Sequence, residues 1–188
     1  MPQNAPPTLV TARLTLRAHD TADFAESAAM WADERVTRFI GGRPSTAEEA
    51  WQRLLRYGGL WALLGFGYWV VRERGSDAFV GEIGFGNFHR DLDPPFGDTP
   101  EIGWALSPRA QGQGFAGEAV QAAVAWADAQ RFDRTVCLIS PDNAPSIRVA
   151  ERAGYRNYAR TDFKGSPTML FERPVERRAD QPSPAFSR

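Results

Sequence analysis

The residues of this 188-residue chain that could do chemistry gather in two stretches and two acids, one of which opens the first stretch. The first stretch runs Glu101-Ile102-Gly103-Trp104-Ala105-Leu106-Ser107-Pro108-Arg109-Ala110-Gln111-Gly112-Gln113-Gly114-Phe115-Ala116-Gly117-Glu118. Glu101 to Leu106 is short, apolar and stopped by Ser107-Pro108, as a buried strand would be. Gly112, Gly114 and Gly117 follow, and then Ala119, Val120, Ala123, Val124 and Ala127 recur along one helix face. A glycine turn feeding a helix leaves several backbone N–H groups without carbonyl partners at the positive end of the helix dipole. That makes an anion site, most naturally for phosphate. The second stretch is Asn143 to Tyr155, where Asn143 or Ala144 opens a helix, Pro145 suits its first turn and Gly154 stops it. The two acids are Glu101 and Glu82, the latter sharing one strand face with Gly84 and Gly86. A carboxylate in a partly dry cleft can serve as a general base, although a structural charge is an equal alternative for each.

Two phosphate chemistries compete for the glycine turn. Gly112-Gln113-Gly114-Phe115-Ala116-Gly117 is a literal G-x-G-x-x-G, with Asp142 at about the distance of a ribose-binding acid. In a dinucleotide site, however, the first glycine sits at the strand end and a run of parallel strands follows. Here Ser107 to Gln111 intervene and too little chain remains, so an oxidoreductase ranks second. The other pattern is Gln111-x-x-Gly114-x-Ala116, which resembles the acyl-CoA pyrophosphate loop of the GNAT superfamily of N-acetyltransferases. Asn143-Ala144-Pro145-Ser146 through Gly154-Tyr155 is similar to that family's Asn-x-x-Ser helix. Arg13-Leu14-Thr15-Leu16-Arg17 resembles the opening strand of the subgroup related to ribosomal-protein N-terminal (RimJ/RimL-type) acetyltransferases.

Composition narrows the setting. A hydrophobic fraction of 43%, with 12 Phe and 6 Trp, is that of a folded chain, and the length suits one domain, expected over residues 9–173 with flexible ends at 1–8 and 174–188. A formal charge of -1 gives no general attraction to nucleic acid or an anionic membrane. The apolar run Leu60 to Val71 is broken by Gly65 and Gly67 and falls short of the ~20 residues that span a bilayer. Nothing at the N-terminus reads as an export signal, so a cytoplasmic location is expected. His19, His89 and Cys137 supply no metal-ligand spacing, and Cys137, among Val136, Leu138 and Ile139, reads as a small core residue.

Around these stretches the chain reads as a strand at Arg13 to Ala18, a helix over about Ala22 to Ala32 capped by Asp20 or Thr21, and a helix opening at Ser45-Thr46-Ala47-Glu48 and ending near Gly58-Gly59. Phe39 and Ile40 before Gly41-Gly42 could wall an acceptor pocket, with packing under a loop the preferred reading. Strands are expected at Phe66 to Arg72 and Ala78 to Phe88, with Gly84 and Gly86 leaving room for close approach on the face of Glu82. In the loop Arg90 to Pro100, Asp91, Asp93 and Asp98 could line an acceptor mouth for a cationic amine, a solvated surface loop being the alternative. A helix to about Gln130, a strand at Thr135 to Ile139 and a hairpin at Tyr155 to Phe163 and Thr168 to Arg173 complete the pattern.

The resemblance implies an α/β fold with a mostly antiparallel sheet, a splayed central parallel pair and flanking helices. It implies acetyl-CoA as acyl donor, no metal, and a primary amine, on a small molecule or a protein, as acceptor. Ile102 to Ser107, including Trp104, Ala105 and Leu106, would bind pantetheine, and Gln111, Gly112, Gln113, Gly114, Ala116 and Gly117 the pyrophosphate. Asn143 would contact CoA, or act only as a helix cap, and Arg148 and Arg152 could meet its phosphates. Many members carry a tyrosine near the sulfur where this chain has Ala150, which leaves Ser146 as the hydroxyl facing the thiol. Glu101 is the first candidate base, Glu82 the second and His89 the third. A non-catalytic acyl-CoA-binding or protein-interaction domain is the remaining alternative.

Overall fold

The computed structural model describes residues 5–130 and 132–174; most of the two expected flexible ends, 1–4 and 175–188, lies outside the described residues. Eight strands among the described residues form one sheet in the order β1-β2-β3-β4-β5-β6-β8-β7. They are β1 (Leu9–Val10), β2 (Leu14–Arg17), β3 (Tyr68–Glu73), β4 (Phe79–Gly86), β5 (Glu101–Leu106), β6 (Arg134–Ile139), β7 (Arg156–Phe163) and β8 (Ser166–Pro174). Every neighbouring pair is antiparallel except β5 and β6. This is not the open parallel sheet that the dinucleotide fingerprint needs.

The helices are α1 (Phe24–Trp31), α2 (Glu34–Thr37), α3 (Ala47–Leu64), α4 (Phe115–Asp128) and α5 (Ala144–Arg152). Alternation along the strands divides the apolar residues between two clusters. Ile83, Phe85 and Ile102 pack with Ala119, Val120 and Ala123 of α4. Val70, Phe79 and Ala105 pack with Met30 and Trp31 of α1, Val36 of α2 and Ala50 of α3. Each fully buried side chain of the size of Ile83 or Phe85 contributes about 1.5–3 kcal/mol. Cys137 is buried in the first cluster, and burial pushes its thiol pKa up, which keeps it protonated. Among the described residues no helix is long and apolar enough to cross a membrane.

Three boundaries differ from the local pattern. The capping box of α3 is Thr46 with Glu49, one residue later than the pattern suggested: Thr46 Oγ1 accepts from the Glu49 amide at 3.2 Å and the Glu49 carboxylate from the Thr46 amide at 2.8 Å. The helix then runs through Gly58-Gly59 to Leu64 and ends at Gly65 in the left-handed conformation, φ 74°. Two helical glycines cost about 1 kcal/mol each. Burial of Tyr57, Leu60 and Trp61 on the inner face, with Trp61 Nε1 donating to the Tyr68 carbonyl at 3.0 Å, outweighs that cost. A short helix, α2, also precedes Phe39, where only a loop was expected. At the N-terminal end, Trp69 Nε1 donates to the Pro7 carbonyl at 2.8 Å.

Candidate active site

The site begins where the one parallel pairing stops. β5 and β6 share a single registered pair, Glu101 with Val136, and the Val136 amide donates to Pro100 O at 3.0 Å. On its other side β5 is paired with β4 along its whole length, from Gly86 with Glu101 to Gly81 with Leu106. Beyond Glu101 its free edge therefore has no strand partner, and a cavity of about 850 Å³ opens between the strands. Ile102, Gly103, Trp104 and Ala105 form one wall, while Ser140, Asn143 and Ser146 belong to the other. A chain of backbone N–H and C=O groups facing such a gap can pair with an extended amide-bearing ligand.

The glycine turn lies past the far end of β5. Gly112 and Gly114 have φ of 76° and 79°, which a side chain would strain. Gly114 is the N-cap of α4 and brings no capping side chain; the first helical bond is Glu118 N–H to Gly114 O at 3.2 Å, so the preceding amides have no helical carbonyl to reach. Gln111 Nε2 donates to Leu106 O at 3.1 Å and Gln113 Nε2 to Arg109 O at 2.6 Å, which braces the turn from within. Leu106, Gln111, Gly112, Gln113, Gly114, Ala116 and Gly117 stand outside the cavity wall, whereas Trp104, Ala105, Asn143 and Ser146 belong to it.

The brace from outside was not visible in the sequence. Arg13 donates to Gln113 O at 3.0 Å and to Glu118 Oε2 at 2.7 Å, and its guanidinium sits 4.6 Å over the Phe115 ring. Thr11 Oγ1 adds a bond to Glu118 at 2.6 Å. Glu118 in the first turn of α4 would repel a phosphate, and Arg13 neutralises it. The only signal was an acid in a helix first turn, which the dipole alone would explain.

The two acids both border the cavity and have different partners. Glu82, 1% exposed, accepts from Ser27 Oγ at 2.5 Å, Trp31 Nε1 at 2.8 Å and Tyr57 OH at 3.1 Å. Glu101, 5% exposed, accepts from Arg90 Nε at 2.6 Å and Nη2 at 2.8 Å. Burial pushes the Glu101 pKa up and the Arg90 guanidinium only partly opposes it. The third candidate, His89, is exposed at the cavity edge. The close approach expected beside Glu82 is there: a Cβ at Gly84 would collide with the backbone of Gly67 and Tyr68, and one at Gly86 with the Phe88 ring. Those glycines admit the protein's own chain rather than a ligand.

Ser146 and Tyr68 carry two of the hydroxyls on the cavity wall. The Ser146 amide donates to Asn143 Oδ1 at 3.2 Å, so Asn143 is a helix N-cap whatever else it does, and the Ser146 side chain is left for the cavity. Tyr68, on β3, was read only as part of a strand. Its ring stacks on Tyr57 at 4.4 Å and 8°, and its hydroxyl occupies the space that a Cβ at Gly103 would need. Burial pushes its pKa up, so it stays a neutral donor. Ala150 is wholly buried in the main core and is not part of the cavity wall.

Phe39, Ile40, Gly41 and Gly42 do wall the cavity, which overturns the preferred reading of packing under a loop. Asp91, Asp93 and Asp98 do not: Leu92 and Phe96 turn that loop inward against Val136 and Leu170, and the acids stay outside the cavity wall. Asp142, Arg148 and Arg152 are also outside it.

The architecture that carries this site is shared with solved structures. A family model described as an acetyltransferase (GNAT) domain matches residues 13–156. The chain belongs to the GNAT acetyltransferase family. It is 37% identical to a protein of Bordetella pertussis assigned to that family, covering 89% of this chain and 99% of the other with a TM-score of 0.78. It is 29% identical over 150 residues to the N-acetyltransferase YnaD of Bacillus subtilis, covering 79% of this chain and 82% of YnaD. The ribosomal L7/L12 α-N-protein acetyltransferase RimL, solved with coenzyme A, has the same fold at 18% identity, with a TM-score of 0.73 and coverage of 90% of this chain and 98% of RimL. This GNAT acetyltransferase is an acyl-CoA-dependent N-acyltransferase with acetyl-CoA as donor.

Proposed function

We propose that this GNAT acetyltransferase moves the acetyl group of acetyl-CoA onto a primary amine by direct attack on the thioester, within a cytoplasmic catalytic domain spanning residues 9–173. The observation that carries this reading is the unpartnered edge of β5, which opens onto a cavity with the glycine turn past one end and Glu101 at the other. Gly103, Trp104, Ala105 and Leu106 would hold the pantetheine arm, and the amides from Gln111 to Gly117 the pyrophosphate. Asn143 and Ser146 would complete the cofactor site at the thiol end.

The acceptor enters as an ammonium, and a lysine-like amine near pKa 10.4 is almost wholly protonated at neutral pH. In our reading Glu101 takes that proton, directly or through water; a carboxylate whose pKa burial has raised is a better base than one in solvent. The amine nitrogen then bonds to the carbonyl carbon, giving a tetrahedral oxyanion. Its collapse breaks the C–S bond and releases the CoA thiolate, to which Ser146 and Tyr68 can offer hydrogen bonds before it takes up a proton.

Replacing Glu101 by Gln tests the assignment. The substitution should lower kcat by about 10²- to 10⁴-fold with CoA affinity kept, and the loss should shrink at high pH, where the amine is already neutral. A pH-independent loss makes Glu101 structural, and no loss moves the base to Glu82 or His89. For the cofactor site, acetyl-CoA should raise the melting temperature while NAD and FAD do not. Gly114→Glu, which strains a left-handed position and sets an anion against phosphate, should abolish that shift.

A further inference from the structure

The cavity wall holds three arginines that the fold does not use. Arg53 and Arg56 stand three residues apart on α3, and Arg38 follows α2. None of the three guanidinium groups forms a hydrogen bond or ion pair among the described residues; each lies over an aromatic ring, and Arg56 also acts on Glu101 through space. The Arg53 guanidinium is 3.7 Å from the centre of the Trp31 ring, Arg56 5.3 Å from Phe88 and Arg38 4.4 Å from Phe39. Arg53 Nε is buried without a hydrogen-bond acceptor. A buried guanidinium N–H left unbonded is costly, and a stacked ring holds the fork in place rather than satisfying it.

The acids that could neutralise these cations are already engaged. Glu82 has its three neutral donors and Glu101 has Arg90. With Lys164, the wall carries five cations against two carboxylates. The phosphates of the donor do not account for Arg56 or Arg90. Arg56 and Arg90 both lie over Phe88, at the Glu101 end of β5, while the glycine turn follows Leu106 at the opposite end, about 16 Å away along the strand.

We propose that the acetyl acceptor is a small molecule carrying both a primary amine and an anionic group, a carboxylate or a phosphate, which Arg53 and Arg56 bind with Arg38 at the rim. The proposal rests on the acetyl-transfer reading above and names its substrate class. An arginine fork matches either anion in a two-point contact. The same cations disfavour a polyamine, and they lower the pKa of an ammonium brought beside them, which eases its deprotonation.

Matched amines in a thiol-release assay test this, with rates expressed per neutral amine: glutamate against glutamine amide, β-alanine against propylamine, phosphoethanolamine against ethanolamine, and spermidine as the cationic member. The anionic member of a pair should have the higher kcat/KM by about 10- to 100-fold. That preference should collapse in Arg53→Gln and in Arg56→Gln, with melting temperature and acetyl-CoA affinity near wild type. The relative rates of carboxylate and phosphate members identify the anion. Equal or faster turnover of the neutral or cationic members, or a preference that survives both substitutions, overturns the anionic acceptor while leaving acetyl transfer intact. If acetyl-CoA binds and no amine is acetylated, it is the transfer reading that fails. Calorimetric titration of glutamate and phosphoethanolamine into CoA-saturated protein then decides the anion site: saturable heat that Arg53→Gln removes supports it, and its absence overturns it.

Discussion

Asp23 and Glu101 are both buried carboxylates gripped by arginine, yet their pKa values move in opposite directions. Burial alone would raise both. Asp23 overcomes it because Arg17 donates to both of its oxygens at 2.8 and 2.7 Å, Arg72 adds a further guanidinium contact, and the Asp20 amide donates at 2.8 Å. Its pKa falls well below the ordinary carboxylate range. Glu101 has one arginine and no backbone donor among its described hydrogen bonds, so burial wins. The same contrast separates the arginines: Arg72 is committed to Asp23 and Glu26 through its Nη atoms, although its Nε has no acceptor, while Arg53 and Arg56 face the cavity over rings and without an ion pair. Charges saturated by the fold hold it together, and charges left short of partners mark where a ligand completes the set.

Removing Asp23 puts the largest strain on that contrast. Asp23→Ala should cost about 3–5 kcal/mol in urea unfolding at neutral pH, because Arg72 loses a buried counter-ion. A loss under about 1 kcal/mol would place Asp23 with the ordinary surface pairs.

The pH dependence should carry opposite signs. With its folded pKa depressed, Asp23 contributes stability above its unfolded value, near 3.9, and that contribution disappears as pH falls through the folded value. With its folded pKa raised, Glu101 contributes only below its unfolded value, near 4.3, and the contribution is lost as pH rises through the folded one. Stability measured below about pH 4 should therefore fall less steeply in Asp23→Asn than in the wild type, and in Glu101→Gln the decline just above about pH 4.3 should be reduced. Equal slopes in all three proteins would erase the distinction.

A smaller effect is expected at the hydroxyls of the cavity. Ser146→Ala should lower kcat by about 3- to 10-fold with CoA affinity unchanged, as for a neutral hydrogen bond made mainly in the transition state. Tyr68→Phe, on the opposite wall, gives the comparison: the larger loss identifies the hydroxyl nearer the developing charge. Wild-type kcat in Ser146→Ala, where chemistry limits turnover, would leave that residue as part of the helix alone.

The smallest effect concerns the helix that carries Arg53 and Arg56 to the cavity. Gly58 is exposed there, and a Cβ on it meets nothing within 4 Å. Gly58→Ala should stabilise the protein by about 0.5–1 kcal/mol in urea unfolding without changing turnover. A loss of activity would show that the glycine pair gives α3 a freedom that the site uses.

The amino-acid sequence by itself determined what depends on neighbours in the chain. The strand Glu101–Leu106, the glycine turn, the apolar face of α4 and the Asn143 cap follow from spacing and backbone chemistry within a few residues. The opening block at Arg13, the turn and the Asn143 helix together pointed to the family, because a cofactor loop must be built locally. Tertiary structure decided what depends on residues far apart. Nothing near Glu82 says that Ser27, Trp31 and Tyr57 will saturate it, and nothing near Glu101 separates its single arginine from the pair that holds Asp23. Local glycine propensity ended α3 at Gly58-Gly59; burial of Leu60 and Trp61 against the sheet carried it to Leu64. The inward turn of Ala150 and the cavity-facing arginines are likewise set by packing. Periodicity assigns a residue to a face, while its pKa and its freedom to meet a ligand are fixed by what the rest of the chain places opposite it.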